Sequence, residues 1–312
     1  MVNTDLVSGC SPSCGLVIPT YNAGSHWLSA LSRLSQYVFL ENLVIDSGST
    51  DGTVSLAIAA GFTVKSIPKS EFNHGGTRQL AVELLPDAEI IVFMTQDAIL
   101  ADEFAIENLL RVFDDPLVGV AYGRQLPHRD AKPLGAHARL FNYPDKSYVA
   151  SLADRERMGI KAAFSSNSFA AYRREALQAV GGFPRDIILG EDTFVAAKML
   201  LAGWKVAYQA DARVYHSHDY SLRQEFRRYF DIGVFHAREH WLLDAFGKPE
   251  GEGGRFVRSE FAYLFTHAPW LIPSAFLRTG LKYLGYRLGR AERWLPLRIK
   301  RGLSMHRGFW RG

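Results

Sequence analysis

The chain has 312 residues, 47% of them hydrophobic and 22% charged, with a formal net charge of +4. That balance excludes a disordered or collagen-like chain and allows one large domain or a domain with an appendage. The only cysteines, Cys10 and Cys14, exclude a disulfide scaffold and point to a reducing compartment; spaced C-x3-C with no second pair, they are too few for a zinc site.

No segment reaches the ~20 consecutive apolar residues that span a bilayer. The best run, Ala268 to Leu277, holds two prolines between His267 and Arg278. The start, MVNTDLVSGC, has neither a basic region nor an apolar core, so the expectation is a cytoplasmic protein without a secretory signal. The charge is uneven. Residues 278–312 contain ten Lys or Arg and one acid, Glu292, so this tail carries +9 and the rest −5. A negatively charged partner is therefore expected at the tail.

In chain order, Cys14 to Pro19 is an apolar run that predicts a buried strand, and Trp27, Leu28, Leu31, Leu34 and Val38 predict a helix over 24–37. Leu43 to Asp46 predicts a strand, Asp51 to Ala60 a helix, Phe62 to Ile67 a strand and Thr77 to Leu85 a helix. Glu89 to Thr95 predicts a fourth strand and Asp102 to Phe113 a fourth helix. Such alternation implies βαβ units and a mostly parallel sheet, with ligands beyond the carboxyl ends of its strands. Residues 126–166, irregular and holding Pro127, Pro133 and Pro144, read as a long loop over the site. Strands are expected at Phe169–Tyr172 and Trp204–Tyr208, and helices at Arg174–Val180 and Asp192–Ala202. Beyond His218 an apolar stripe from Leu222 to Trp241 predicts a helix, residues 247–254 (GKPEGEGG) a flexible break, and residues 255–305 a basic helical region.

Five clusters carry candidate chemistry. In IDSGSTDG (45–52), Asp46 ends a strand where it could accept the imide N–H of a pyrimidine, and Asp51 suits a helix cap. In FNHGGTRQ (72–79), two glycines and Arg78 at a helix start suit a nucleotide, or form an ordinary turn with a solvated Arg. In TQDA (95–98), Asp97 after a central strand is either a hard oxygen ligand for Mg²⁺ or Mn²⁺ or a helix cap. In GED (190–192), two adjacent carboxylates can take separate roles, one orienting and one accepting a proton, or can simply favour the helix dipole. In VYHSHDYS (214–221), His216 and His218 sit two apart at a strand end, so in extended chain only one reaches the site. There is no GxxxxGK[ST], no GxGxxG after a strand and no GxSxG.

Pro19-Thr20-Tyr21-Asn22, IDSGSTDG, the fourth-strand Asp and GED occur in the order and spacing of glycosyltransferase family 2, and residues 14–220 resemble that family of inverting enzymes with the GT-A fold. HGGTR, TQDA, YGRQLP (122–127), FNYP (141–144), FSSN (164–167), GGFP and YHSH resemble, more narrowly, bacterial rhamnosyltransferases of lipopolysaccharide or capsule synthesis. The resemblance implies an α/β GT-A domain over 10–220 and a helical, basic, membrane-associated region over 221–312. It implies that Pro19, Thr20, Tyr21, Asp46, Arg78 and Gln96 bind the nucleotide, with Tyr21 stacking on the base. It implies that Asp192 is the catalytic base with Glu191 beside it, and that Arg124, Asn167, Arg227 and Arg228 serve the sugar or acceptor. Asp97 matches the last acid of the family's DxD motif, but Thr95 replaces the first; Mg²⁺ or Mn²⁺ would then be held by Asp97 with help from His216 or His218. Gln224 and Arg227 match part of a Q-x-x-R-W motif of processive members, and Arg228 in place of Trp argues against processivity. The implied donor is dTDP-L-rhamnose, with another UDP- or GDP-sugar, or nucleotide-sugar binding without catalysis, as alternatives.

The tail mixes its cations with Trp270, Phe276, Leu277, Tyr283, Leu284, Trp294 and Leu297, the composition of an interfacial anchor. A glycan or lipid-linked acceptor and peripheral contact with the inner face of the plasma membrane through residues 270–312 are therefore expected. An ordinary helical cap with a solvated basic face is the alternative. Nucleic acid is not an expected partner, because the charge is confined to the tail and no RNA-binding aromatic motif occurs.

Overall fold

A computed structural model describes residues 13–247 and 250–310; Cys10, the expected domain start at residue 10, and the far ends of the break and the tail (248–249 and 311–312) lie outside the described residues. The first elements alternate: β1 (Cys14–Thr20), α1 (His26–Leu34), β2 (Glu41–Asp46), α2 (Thr53–Ala59), β3 (Thr63–Ser66), α3 (His74–Leu84) and β4 (Ile90–Met94). The middle of the chain adds β5 (Ile99–Leu100), α4 (Ala105–Leu110), β6 (Val118–Leu126), α5 (Pro133–Asn142), β7 (Tyr148–Ala150) and α6 (Arg155–Met158). β8 (Phe169–Arg173), α7 (Arg174–Ala179), α8 (Glu191–Leu201) and β9 (Lys205–Tyr215) complete the α/β part. Helices follow: α9 (Leu222–Arg238), α10 (His240–Phe246), α11 (Glu250–His267), α12 (Ile272–Arg290) and α13 (Leu297–Leu303).

One 9-stranded sheet runs in the order β3-β2-β1-β4-β8-β6-β9-β5, with β7 also paired to β9. β1, β2, β3 and β4 are parallel, as are β6 and β9; β8 runs antiparallel between β4 and β6, and β5 and β7 are antiparallel to β9. The apolar runs have no polar alternation because helices cover both faces. Val17, Ile91 and Phe93 enter one core, and Leu16, Ile18, Ile90, Val92 and Met94 the other, as the two-residue period of a strand requires. On the second face Trp27 of α1 is fully buried and donates Nε1–H to Thr53 O at 2.9 Å. The β1–β2 register sets Thr20 opposite Asp46, which brings the PTYN and IDSG clusters together at one sheet edge.

Two segments differ from the sequence-based expectation. Residues 126–166 do not form an irregular loop: they contain α5, β7 hydrogen-bonded to β9, and α6, and they form a fixed wall over the sheet edge. Residues 250–254 of the expected break belong to α11, which packs against α5 through Phe256, His137 and Phe141. α12 lies closely on α9. A Cβ at Gly289 would fall 2.0 Å from Phe230 O, one at Gly285 2.5 Å from Phe226 O, and one at Gly233 2.3 Å from Tyr286 O. Only glycine permits this approach of two helix backbones.

Candidate functional site

A cavity of about 840 Å³ opens at the carboxyl edge of the sheet. One end is built from the β1 and β2 termini. Thr20 Oγ1 donates to Asp46 Oδ1 at 2.9 Å, and Asn22, with φ of 44°, accepts from Thr50 N at 2.8 Å. Gln96 fixes the backbone of Tyr21 from both sides: its Oε1 accepts from Tyr21 N at 2.8 Å, and its Nε2 donates to Tyr21 O at 3.2 Å. The exposed Tyr21 ring carries the Lys69 ammonium 4.0 Å from its centroid. Pro19, Thr20, Tyr21 and Gln96 all line the cavity.

Asp46 does not take the expected place. It is 2% exposed and absent from the cavity wall, and its carboxylate accepts from Thr20 Oγ1, Ser49 Oγ, Gly48 N and Ser49 N. A carboxylate offers about four acceptor sites. Those of Asp46 are spent shaping the turn, which leaves none for a base. Asp51 is not the cap residue itself: it stands one position before the cap, Gly52, and accepts from Thr53 N at 3.0 Å at the start of α2.

In the middle of the cavity Asp97, His216 and His218 offer ligand atoms that all lie within 4.8 Å of one another. His216 Nε2 is 3.4 Å from Asp97 Oδ1, and His218 Nε2 is 3.8 Å from Asp97 Oδ2. Both histidines reach the site, because the chain leaves β9 at Tyr215 and no longer alternates. Gln125 settles which nitrogen faces Asp97. Its Oε1 accepts from Arg139 Nη1 at 2.9 Å, so the same oxygen must also accept from His216 Nδ1 at 2.8 Å. With one proton on Nδ1, Nε2 is the nitrogen that faces the carboxylate, where it donates to Asp97 when protonated and offers a lone pair to a cation when not. Burial opposes charge on Asp97, but His216 and His218 overcome it and hold the carboxyl well below the usual carboxylate range. Burial, then His216, lowers His218 to about 4. An ionised carboxylate beside two imidazoles that can exchange a proton for a metal is a donor set that fits a divalent cation.

The GED pair opens α8 behind Gly190, whose φ is 79°. Glu191 is buried and locked: Arg78 Nη1 lies 2.9 Å from its Oε1, and Asn167 Nδ2 donates to the same oxygen at 3.0 Å. Tyr172 Oη donates to Asn167 Oδ1 at 2.7 Å, which orients the amide. Burial raises Glu191, but Arg78 and then His74 outweigh it and hold the carboxyl low. Among the described residues Asp192 has no salt-bridge partner. Its Oδ1 accepts from Thr193 N at 2.8 Å and its Oδ2 from Asn167 N at 3.3 Å. Burial and the charge of Glu191 push it up to about 6. Arg78 lines the cavity with its Nη1 engaged by Glu191 Oε1 and His74 O.

The expected sugar and acceptor residues divide. Asn167 and Arg228 line the cavity, Arg228 lying over the Tyr220 ring at 5.7 Å. Arg124 and Arg227 do not. Arg124 precedes Gln125 on β6, and neighbours on a strand face opposite ways. Arg227 donates to Gly302 O at 3.0 Å and ties α9 to α13. The residues after α13 correct the reading of residues 270–312 as one membrane-facing stretch. Ser304 is fully buried and Trp310 is 4% exposed, in the main core. Asp231 Oδ2 accepts from Met305 N at 2.8 Å and His306 N at 3.2 Å, and both residues line the cavity. His306 meets His74 edge to face at 5.0 Å, and burial followed by His74 drops it to about 3. Lys69, His74, Gln125, Arg139 and His306 are cavity residues not expected from sequence, although the motifs HGG and YGRQLP contain two of them, His74 and Gln125.

The family model for glycosyl transferase family 2 matches residues 16–181. The chain belongs to glycosyl transferase family 2. It is 53% identical to the O-antigen chain rhamnosyltransferase RfbN of Salmonella typhimurium, over 95% of each chain, and 48% identical to the O-antigen chain rhamnosyltransferase WbaN of Salmonella anatum, over 96% of each. The mannosyltransferase PcManGT of Pyrobaculum calidifontis, solved with GDP-Man and Mn²⁺, shares the fold at a TM-score of 0.55 and 20% identity, covering 96% of this chain and 85% of that one. The family 2 chain is thus a glycosyltransferase of the α/β GT-A class.

Proposed function

We propose that this family 2 enzyme transfers L-rhamnose from dTDP-L-rhamnose to a glycan acceptor in O-antigen assembly, with inversion at the anomeric carbon. The observation that carries the reading is Asp192, a carboxyl at about 6 with no salt-bridge partner among the described residues, lining the same cavity as Asp97, His216 and His218. The rhamnosyltransferases that share about half of this sequence over nearly its full length supply the sugar.

In this reading the nucleoside lies along Pro19, Thr20 and Tyr21, with Gln96 holding the Tyr21 backbone. Asp192 takes the proton of the acceptor hydroxyl. The hydroxyl oxygen bonds to the anomeric carbon as the bond from that carbon to the diphosphate oxygen breaks, and one in-line displacement inverts the centre. A divalent cation bound by Asp97 and the two histidines would neutralise charge on the departing diphosphate, and the imidazole donors favour Mn²⁺ over Mg²⁺. Arg78, Glu191 and Asn167 position the base. Arg228, Tyr220 and His306 border the space left for the acceptor. The α5 wall excludes water that would otherwise compete as acceptor.

The enzyme is proposed to work at the inner face of the plasma membrane. No helix among the described residues is long and apolar enough to cross a membrane. Trp270, Phe276, Leu277, Tyr283, Leu284, Trp294 and Leu297 are nevertheless all exposed. This suits a peripheral contact that presents a lipid-linked acceptor.

Titration calorimetry with dTDP, UDP and GDP, with and without Mn²⁺, tests the donor and the metal together. Tight binding of dTDP that needs Mn²⁺ and is lost in Asp97→Ala is expected. Preference for UDP or GDP would overturn the donor.

A further inference from the structure

A second cavity, of about 650 Å³, lies farther along α9. His236 lines the first cavity and Tyr286 the second, with His236 Nδ1 and Tyr286 Oη 3.1 Å apart between them. The second cavity is lined by four arginines, Arg238, Arg287, Arg290 and Arg293, and by Trp294. Two carboxylates share the wall, Glu292 and Asp244. Glu292 is already committed, to Arg238 Nε at 3.1 Å and to Lys300. Arg287, Arg290 and Arg293 have no carboxylate partner among the described residues, whereas Arg278, Lys282 and Lys300 of the same tail all do.

The negative end of the α12 dipole favours cations at Arg287 and Arg290. It does not explain Arg293, beyond the helix end, whose guanidinium lies 4.8 Å from the Trp294 ring centroid. Nor does it explain what precedes the arginines on the same helix face. Phe276, Leu277, Tyr283 and Leu284 are exposed at helical spacing, Arg287 and Arg290 continue their line, and Trp294 follows at 74% exposure. An apolar stripe that ends in arginines and a tryptophan matches the depth profile of a bilayer leaflet, with acyl chains under the stripe and headgroups at the aromatic end.

We infer that the groove at the foot of α12 binds the headgroup of an anionic phospholipid, whose phosphoryl charge no choline offsets; this rests on the membrane contact proposed above. The planar guanidinium fork pairs with two phosphoryl oxygens at once, and three forks without carboxylate partners can hold an anion that one surface lysine would not. A soluble phosphate offers the same oxygens but nothing to cover the stripe, so a lipid is the occupant that satisfies both features.

Flotation of the full-length protein with phosphatidylcholine vesicles, with and without about 30% phosphatidylglycerol, tests the inference beside a titration with inorganic diphosphate. Three proteins are compared: wild type, a variant combining Arg287→Gln, Arg290→Gln and Arg293→Gln, and a variant combining Phe276→Ser, Leu277→Ser, Tyr283→Ser and Leu284→Ser. Unchanged dTDP binding and circular dichroism establish that each variant folds. The arginine variant should lose affinity for anionic vesicles on the order of 100-fold and bind neutral ones as wild type does. The stripe variant should lose both. Arginine-variant binding to anionic vesicles at wild-type strength would overturn the groove and leave the membrane contact standing. Wild type that binds no vesicle would overturn the membrane contact. In that case diphosphate binding lost in the arginine variant would make the groove a soluble-phosphate site, and no diphosphate binding would end the inference altogether.

Discussion

Replacing Asp192 with Asn should make the protein more stable at pH 7.5 while removing its activity, and the gain should vanish in acid. Asp192 sits at about 6 against an ordinary 3.8, which at ~1.4 kcal/mol per pH unit makes its ionised form cost about 3 kcal/mol in the native state. The native state holds this proton more tightly than the unfolded chain. Wild-type stability from this group is therefore fully present below about pH 4 and declines as pH rises through 6. Asn cannot ionise, so the variant escapes that decline. It gives up one of the two acceptors that meet Thr193 N and Asn167 N, at about 1 kcal/mol. Denaturant unfolding should find Asp192→Asn about 1 kcal/mol less stable than wild type at pH 4 and about 2 kcal/mol more stable at pH 7.5. Its kcat should fall by about 10²–10⁴, and wild-type kcat should fall about tenfold per pH unit below about 6. A stability difference that stays constant across this range would refute the reasoning, because it would mean the carboxyl is not held above its ordinary value.

Gln125→Ala frees the His216 ring, and Mn²⁺ affinity by calorimetry should drop about 10–100-fold; unchanged affinity would remove Gln125 from the site. Asp231→Ala leaves the N–H groups of Met305 and His306 without an acceptor, which should cost about 2 kcal/mol and speed limited proteolysis after Leu303. Gly289→Ala drives a Cβ into the Phe230 carbonyl and should destabilise by about 3 kcal/mol or more. Gly280→Ala, on the exposed face of the same helix with no atom within 4 Å of the new carbon, should stabilise by up to about 1 kcal/mol in thermal unfolding.

The parallel half of the sheet is legible because β1, β2 and β4 are continuous apolar runs ended by polar residues, and those ends are where the site forms. β6 escapes the same test. Gly119 and Gly123 punctuate it like a loop, yet a Cβ at Gly123 would lie 2.4 Å from the Phe169 ring and 2.5 Å from Ala212 O, so the glycine is what lets neighbouring strands pass. The start of α11 escapes because its glycines argue for a break, while the pairing of Glu252 with Lys161 and the packing of Phe256 on His137 hold a helix there. Tertiary contact overrides propensity in both cases.

Within the site, sequence finds clusters better than individuals. The motif YGRQLP marks β6, but a strand sends alternate residues to opposite faces, and Arg124 drew notice while Gln125 holds His216. Asp46 and Arg78 are charged residues in the right clusters that engage a turn and Glu191. Most telling is the acid pair. Nothing in the string GED separates Glu191 from Asp192, and both lie in the first turn of α8. The separation comes from partners more than 20 residues away. Arg78 and Asn167 neutralise and tether Glu191, while Asp192 receives backbone N–H groups, the repulsion of its neighbour and only the weaker, longer-range charge of Arg78. A paired carboxylate is a poor base because its proton affinity has been lowered, whereas an unpaired one beside a fixed negative charge has had its affinity raised toward working pH. Removing Arg78 should therefore move both carboxyls at once, so the residue that holds Glu191 also sets how basic Asp192 can be.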